Sequence, residues 1–274
     1  MKFFVCAIFP YIALATFMIG TTVRVAGWLW SPVPFHLTLF PVRENRRGRA
    51  VSVATEFLLC RSLFREDKLL WLWVWLFHMT LVMVAAGHVL GITFLREQFM
   101  LVGLNTSASK ALSLILGGAT GFIMTVSLCA LLSRRIVNAN VRRLSEPDNF
   151  FDLLVLLAIA LTGLLMYVPG FHADLPAVKA FMAGIISLQP IPIPHNTTFV
   201  IHFLLVNLLL LYFPFSRLLH SAGFFVNRVM LVEAPPIFPT PVGNNPRSAF
   251  ATKILDPDIP VSKNRAVERE ADRL

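Results

Sequence analysis

The sequence predicts an all-α integral membrane protein, a bundle of five transmembrane helices, and two observations carry that reading. The 274 residues are 56% hydrophobic and only 14% charged, with a mean hydropathy of +0.70, far more apolar than an ordinary soluble domain. A helix crosses the hydrocarbon with about 20 apolar residues, and five runs near that length stand at 3–23, 71–95, 111–132, 150–168 and 197–220. Lipid offers backbone N–H and C=O groups no partners, so each run is expected as a helix.

The first run follows Lys2 and contains a small-x-small triplet at 13–15, as a cleaved leader would. Its apolar residues continue past the triplet to Val23, which predicts a retained span. The third run carries "LGGATG" at 116–121, small residues that suit close helix packing. The fifth contains Pro214, where a kink is expected. Between the fourth and fifth runs, "LPAVKAFMAGIISL" is amphipathic and is expected to lie at the membrane interface. From Ser221 the chain turns polar and Pro-rich, with "EAPPIFPTPVGNNPR", and reads as an extended cytoplasmic tail laid over a partner. Two regions follow: a transmembrane domain at 1–220 and a tail at 221–274.

Net charge is +9, but its placement decides what it means. Of 24 Lys and Arg, eight fall in the first loop (24–68), four in 134–143 and eight from Arg217 onward, leaving Lys2, Arg96, Lys110 and Lys179 for the other face. This split is the positive-inside pattern and not a nucleic-acid surface. It predicts an N-terminus outside and a cytoplasmic C-terminus. Cys6, Cys60 and Cys129 have no paired spacing, and no C-x-x-C-H occurs, so neither a disulfide framework nor covalent haem is indicated.

Seven histidines remain to be explained. His36, His172 and His195 fall in loops and read as solvated, although His195 stands seven residues before His202 and so near its helical face. His78 and His88 lie in the second run, His202 and His220 in the fifth. An ionisable group at membrane depth is expensive and is a functional candidate by default; a neutral imidazole bonded to a neighbouring helix is the plain alternative.

Runs two and five cross in opposite directions, so His78 falls level with His220 and His88 with His202. Ten residues separate the first two by roughly 15 Å and eighteen the second two by roughly 27 Å, a mismatch that tilt and the Pro214 kink must absorb. Two stacked imidazole pairs suit haem, whose iron takes an axial ligand on each face; structural zinc wants four ligands around one ion. Ala85, Ala86 and Gly87 leave room for a flat macrocycle or for close helix packing. Arg217, three residues before His220, is placed for an anionic propionate, with Arg134 and Arg135 next. Each also reads as a snorkelling interfacial arginine.

At "FHMTLVMVAAGHVLG", "LGGATG" and "HFLLVNLLLLYFPFSRLLH" the sequence resembles the gamma (cytochrome b) subunit family of respiratory nitrate reductase, in order across all five spans, over about residues 5–225. The family pattern of two histidines ten apart in one helix and two eighteen apart in another, ending F-P-F-S-R-L-x-H, is met by His78, His88, His202 and His220. The resemblance implies two haems b held in those cross-pairs. Within the family, "EFLLCRSLFREDKLLWLWVWLFH" looks like the branch of the DsrM protein, the cytochrome of membrane heterodisulfide reductase and the Tmc-complex cytochrome.

That branch implies the electron-transfer subunit of a respiratory oxidoreductase in sulfur metabolism, in a prokaryotic cytoplasmic membrane. It would carry electrons between menaquinol and a cytoplasmic iron–sulfur subunit of the HdrD or DsrK kind, with further subunits, and have no catalytic side chain of its own. In nitrate reductase relatives a lysine near the start of the third span is associated with quinol, and Lys110 stands near that place. A gamma subunit of a nitrate reductase-type complex is one rival. A haem-free proton or ion transporter built on the same histidines is another, of a different class.

Overall fold

Five helices long and apolar enough to cross a membrane stand among residues 8–30, 46–94 and 98–233, which the computed structural model describes. In chain order the helices are α1 (Phe9–Trp30), α2 (Arg46–Leu59), α3 (Arg61–Glu66), α4 (Lys68–Phe94), α5 (Thr106–Val137), α6 (Ala139–Arg143), α7 (Pro147–Leu165), α8 (Leu175–Ile186), α9 (Thr197–Tyr212) and α10 (His220–Glu233). The spans are α1, α4, α5, α7 and α9. Among the described residues there is no strand. The chain is a multi-pass membrane protein, and large apolar side chains such as Met18, Ile19, Val23, Ile115 and Phe122 accordingly face outward.

Local chemistry sets the helix ends. The Asn105 side chain accepts from Ala108 N–H at the start of α5, and Asn196 accepts from Phe199 N–H at the start of α9, relieving N–H groups that the first turn leaves unbonded. Pro147 opens α7, where its missing N–H is no loss. Two indoles close the other end of α2: Trp71 Nε1 donates to Leu59 O and Trp75 Nε1 to Leu58 O.

Several boundaries differ from the sequence expectation. The first span does not end at Val23; α1 runs to Trp30 and carries Arg24 inside it, so Arg24 is not a loop residue. An apolar-run count stops at a charge, whereas a helix continues when neighbouring carbonyls receive that charge. The expected first loop also contains α2 and α3. The fifth span breaks at Pro214: α9 stops at Tyr212, and 3-10 turns at Phe213–Phe215 and Arg217–Leu219 flank an extended Ser216. The tail expected to be extended from Ser221 is helical to Glu233; residues 234–274, and His36, lie outside the described residues.

Contacts fix the order of packing. α4, α5, α7 and α9 pack in sequence as antiparallel neighbours, with Arg134 meeting Asp67 at one end and Tyr167 covering Gly117 and Gly118. Gly121 faces Leu164, so the "LGGATG" segment is a helix-packing face. Phe77, Met124, Leu128, Leu156 and Ala160 form one core cluster among α4, α5 and α7. Phe181 of α8, fully buried, packs with Phe199 and Phe203 of α9 to form the second. α1 lies along α9 in the same direction: Phe17 meets Phe213, and Gly20 meets Pro214.

Candidate functional site: two pairs of facing imidazoles

Helix α4 places His78 and His88 almost three turns apart, and the break after α9 carries His202 and His220 to matching heights. The ring centroids of His78 and His220 are 5.9 Å apart with planes at 87°. Those of His88 and His202 are 6.3 Å apart with planes at 25°. The eighteen-residue phase across α9 therefore never needed to match ten residues of α4, because Ser216 is extended (φ −92°, ψ 173°) and resets the direction of the chain.

All four rings are held by the same nitrogen. Nδ1 of His78 lies 2.7 Å from Val74 O, and Nδ1 of His88 lies 2.7 Å from Val84 O. Nδ1 of His202 is 3.1 Å from Ile159 O, and Nδ1 of His220 is 3.0 Å from Arg217 O. A carbonyl oxygen only accepts, so each Nδ1 carries the proton and donates, which leaves Nε2 with a free lone pair. Carbonyl-bonded Nδ1 is the arrangement that orients a histidine ligating through Nε2.

The spacing fits one ion between the rings of each pair. A ring nitrogen bound to a first-row metal sits about 2 Å from it, so two imidazoles ligating from opposite sides have centroids about 6 Å apart. Both measured separations fall there. Among the described residues no three His, Cys, Asp or Glu side chains gather to hold a metal by themselves. Each pair brings two imidazoles together, which is fewer donors than the four that tetrahedral zinc takes.

The His88–His202 pair has supports that sequence reading missed. Thr162 Oγ1 is 3.0 Å from His202 Nδ1 while also bonding the carbonyls of Ala158 and Ile159. Gly163 stands beside the same ring; a Cβ there would lie 3.4 Å from His202 Cε1. Gln98 reaches back from its 3-10 turn to donate to Gly87 O at 2.6 Å, next to His88. A lone Thr or Gln in an apolar run looks ordinary in sequence, and only the neighbouring helix gives it a role.

The remaining candidates fall as follows. Arg217 is turned to the start of α7, donating to Asp148 at 2.9 Å and to Glu146; two carboxylates already face its guanidinium. Arg134 meets Asp67 at 3.7 Å, and Arg135 donates to Ser145 Oγ at 3.0 Å. Lys110 stands exposed in the first turns of α5, next to the fully buried Ser109, whose Oγ accepts from Phe99 N–H. His172 and His195 are exposed at the ends of the α7–α9 connection. Asp152 of α7, 7% exposed with no hydrogen-bond partner for Oδ1, was visible in sequence as an acid inside an apolar run.

The chain is similar to known membrane-complex subunits over this region. The family model for the nitrate reductase gamma subunit matches residues 52–236, a stretch that contains all four histidines. The "Hdr-like menaquinol oxidoreductase cytochrome b-like subunit" of Archaeoglobus profundus is 31% identical, over 78% of this chain and 74% of its own length. Its namesake from Archaeoglobus fulgidus is 31% identical over 80% and 76%. The respiratory nitrate reductase 2 gamma chain of Escherichia coli is 29% identical, over 60% of this chain and 77% of its own.

Proposed function

Because the chain belongs to the nitrate reductase gamma subunit family, we propose that it is the dihaem cytochrome b subunit of a membrane quinol oxidoreductase, with His78 and His220 holding one haem b and His88 and His202 the other. The observation that carries this reading is the pairing itself: two sets of rings about 6 Å apart, each with Nδ1 on a carbonyl and Nε2 free. The names of the two Archaeoglobus relatives support menaquinol as the quinol.

A haem held by either histidine pair would supply one-electron transfer there. The chain's own residues do the rest. The four Nδ1–carbonyl bonds fix tautomer and ring direction, so the ligands need little reorganisation when charge changes between them. Phe77, against the His78 ring, belongs with Leu128 and Leu156 to a buried apolar cluster that holds α4 against α5 and α7.

In this reading, supported by the charge split, the His78–His220 pair is the cytoplasmic one and the His88–His202 pair the outer one. The functional partner is then a cytoplasmic iron–sulfur subunit of the HdrD or DsrK kind, in sulfur metabolism, with the tail beyond Glu233 as its strap. Quinol meets the outer end of the bundle, where Lys110 is the cation within its reach. Arg217, between the inner pair and the surface, is the candidate propionate partner, in exchange with Asp148 and Glu146.

The test is a pyridine haemochrome assay on the full chain in its native complex. Two non-covalent haems b per chain are expected. No haem in a folded preparation overturns the reading and returns the four histidines to proton or ion transport.

A further inference from the structure

Helix α1 lies outside the residues that the family model matches and contributes no histidine, yet it is packed along the break that carries His220. The contacts climb together along one face of α1. A Cβ on Gly20 would lie 2.8 Å from Pro214 Cβ, so the α1 backbone lies directly against the Pro214 ring there. One helical turn later, Arg24 donates to Pro214 O at 2.5 Å and lies 3.5 Å from Ser216 O. One turn further, the Trp28 ring, with the Arg24 guanidinium 5.7 Å from its centroid, lies 3.5 Å from where a Cβ on Gly223 would stand. Gly20, Arg24 and Trp28 thus form a single stripe over Pro214, Ser216 and Gly223.

The chemistry of the break explains why a guanidinium sits there. Pro214 has no N–H and ends the regular helix, and the extended Ser216 leaves carbonyls facing away from the ladder at the negative end of the α9 dipole. Ser216 repairs part of the damage: its Oγ donates to Phe213 O at 2.9 Å and accepts from Leu218 N–H at 3.1 Å. The carbonyls of Pro214 and Ser216 both face Arg24, whose Nη1 donates to the first and lies at the edge of reach of the second. Four residues after Ser216, His220 opens α10. The direction in which the chain leaves the break therefore sets where the His220 ring points.

We propose that Arg24 is a positioning residue for the His78–His220 site, and that α1 clasps the Pro214–Ser216 break so that the His220 ring meets His78 at 87°. The proposal rests on the haem reading above. It assigns α1 to this site because, among the described residues, the contacts of the Gly20–Arg24–Trp28 stripe run to Pro214, Ser216 and Gly223.

The experiment is low-temperature electron paramagnetic resonance, with haem counted per chain, on the full-length protein in its complex: wild type, Arg24→Gln, Arg24→Lys and Gly20→Ala. Crossed axial imidazoles give a strongly anisotropic low-spin ferric signal and near-parallel ones a rhombic signal, so the wild type is expected to show one of each. Arg24→Gln is expected to shift or abolish the anisotropic signal, lowering the haem count from two toward one, with the rhombic signal unmoved. Arg24→Lys, which keeps a cation but only a point contact, retains most of the anisotropic signal. Both signals at wild-type position and intensity in Arg24→Gln overturn the proposal. Should that variant fail to accumulate, Gly20→Ala decides: it pushes α1 off Pro214 with Arg24 intact, and an unshifted anisotropic signal overturns the clasp. A wild type without haem overturns the cytochrome reading itself and is seen before any variant is made.

Discussion

The two histidine pairs are built by different means. His202 sits inside a continuous helix, and its ring is fixed from the adjacent α7 by Thr162 Oγ1 and Ile159 O, with Gly163 giving it room. His220 sits at the first residue of a new helix, after a break, and its ring is fixed by the local Arg217 O. Its backbone is tethered through Arg24 to α1 and through Arg217 to α7. Near-parallel rings result in the first case and crossed rings in the second. An imidazole inside a helix is only as well placed as its neighbouring helix, whereas one after a break is as well placed as the clamps on the break.

The largest effect expected from this contrast is the separate loss of each pair's cofactor. His202→Ala or His88→Ala lowers the haem count from about two to about one and removes the rhombic signal, while His78→Ala or His220→Ala removes the anisotropic one. Equal loss of both signals in all four variants breaks the assigned pairing. Next is Thr162→Val, which deletes one hydrogen bond to His202. At about 1 kcal/mol this weakens cofactor retention at the His88–His202 pair about fivefold, read as haem released in competition with apomyoglobin, and leaves the other pair as it was.

A smaller effect follows at the other pair. Asp148→Asn removes one arm of the Arg217 tether, but the groups are exposed, so the loss is under about 1 kcal/mol and fades in high salt. A salt-independent loss would show the tether to be stronger than a surface pair.

The smallest effects are titrations at the two ends. Burial raises Tyr167 above its ordinary value; the stability this phenol contributes is fully present below the unfolded pKa of about 10 and is lost as pH rises through the higher folded value. Spectrophotometric titration of the wild type against Tyr167→Phe measures it. At the opposite end, burial first and Glu56 second raise the Cys60 thiol, so alkylation of Cys60 near neutral pH is slower than that of a free thiol. Glu56→Gln speeds it.

Much of the site was legible in the sequence because histidines in apolar runs are rare and conspicuous. The antiparallel order of α4 and α9 was enough to put His78 opposite His220 and His88 opposite His202. Their fit looked imperfect because heights were counted along one helix kinked at Pro214, and the extended Ser216 turns that kink into a full break. Arg24 was misplaced in a loop for a related reason: a count of apolar residues has no means of knowing that carbonyls freed at Pro214, 190 residues away, receive its charge. Thr162, Gly163 and Gln98 carried no signal of their own, since each is an unremarkable residue whose role exists only across a helix interface.

By itself the sequence determined the solvent of this protein and singled out its candidate residues. Five apolar runs commit the chain to lipid because an unpaired peptide group cannot be left there, and histidines in apolar runs stand out because an ionisable group there is costly. Tertiary structure alone decided the 87° and 25° ring crossings, the tautomers, and which helix steadies which ligand. Those depend on where one helix breaks and on which carbonyl lies opposite a side chain from a distant segment, and hydrophobic periodicity along a single strand of sequence encodes neither.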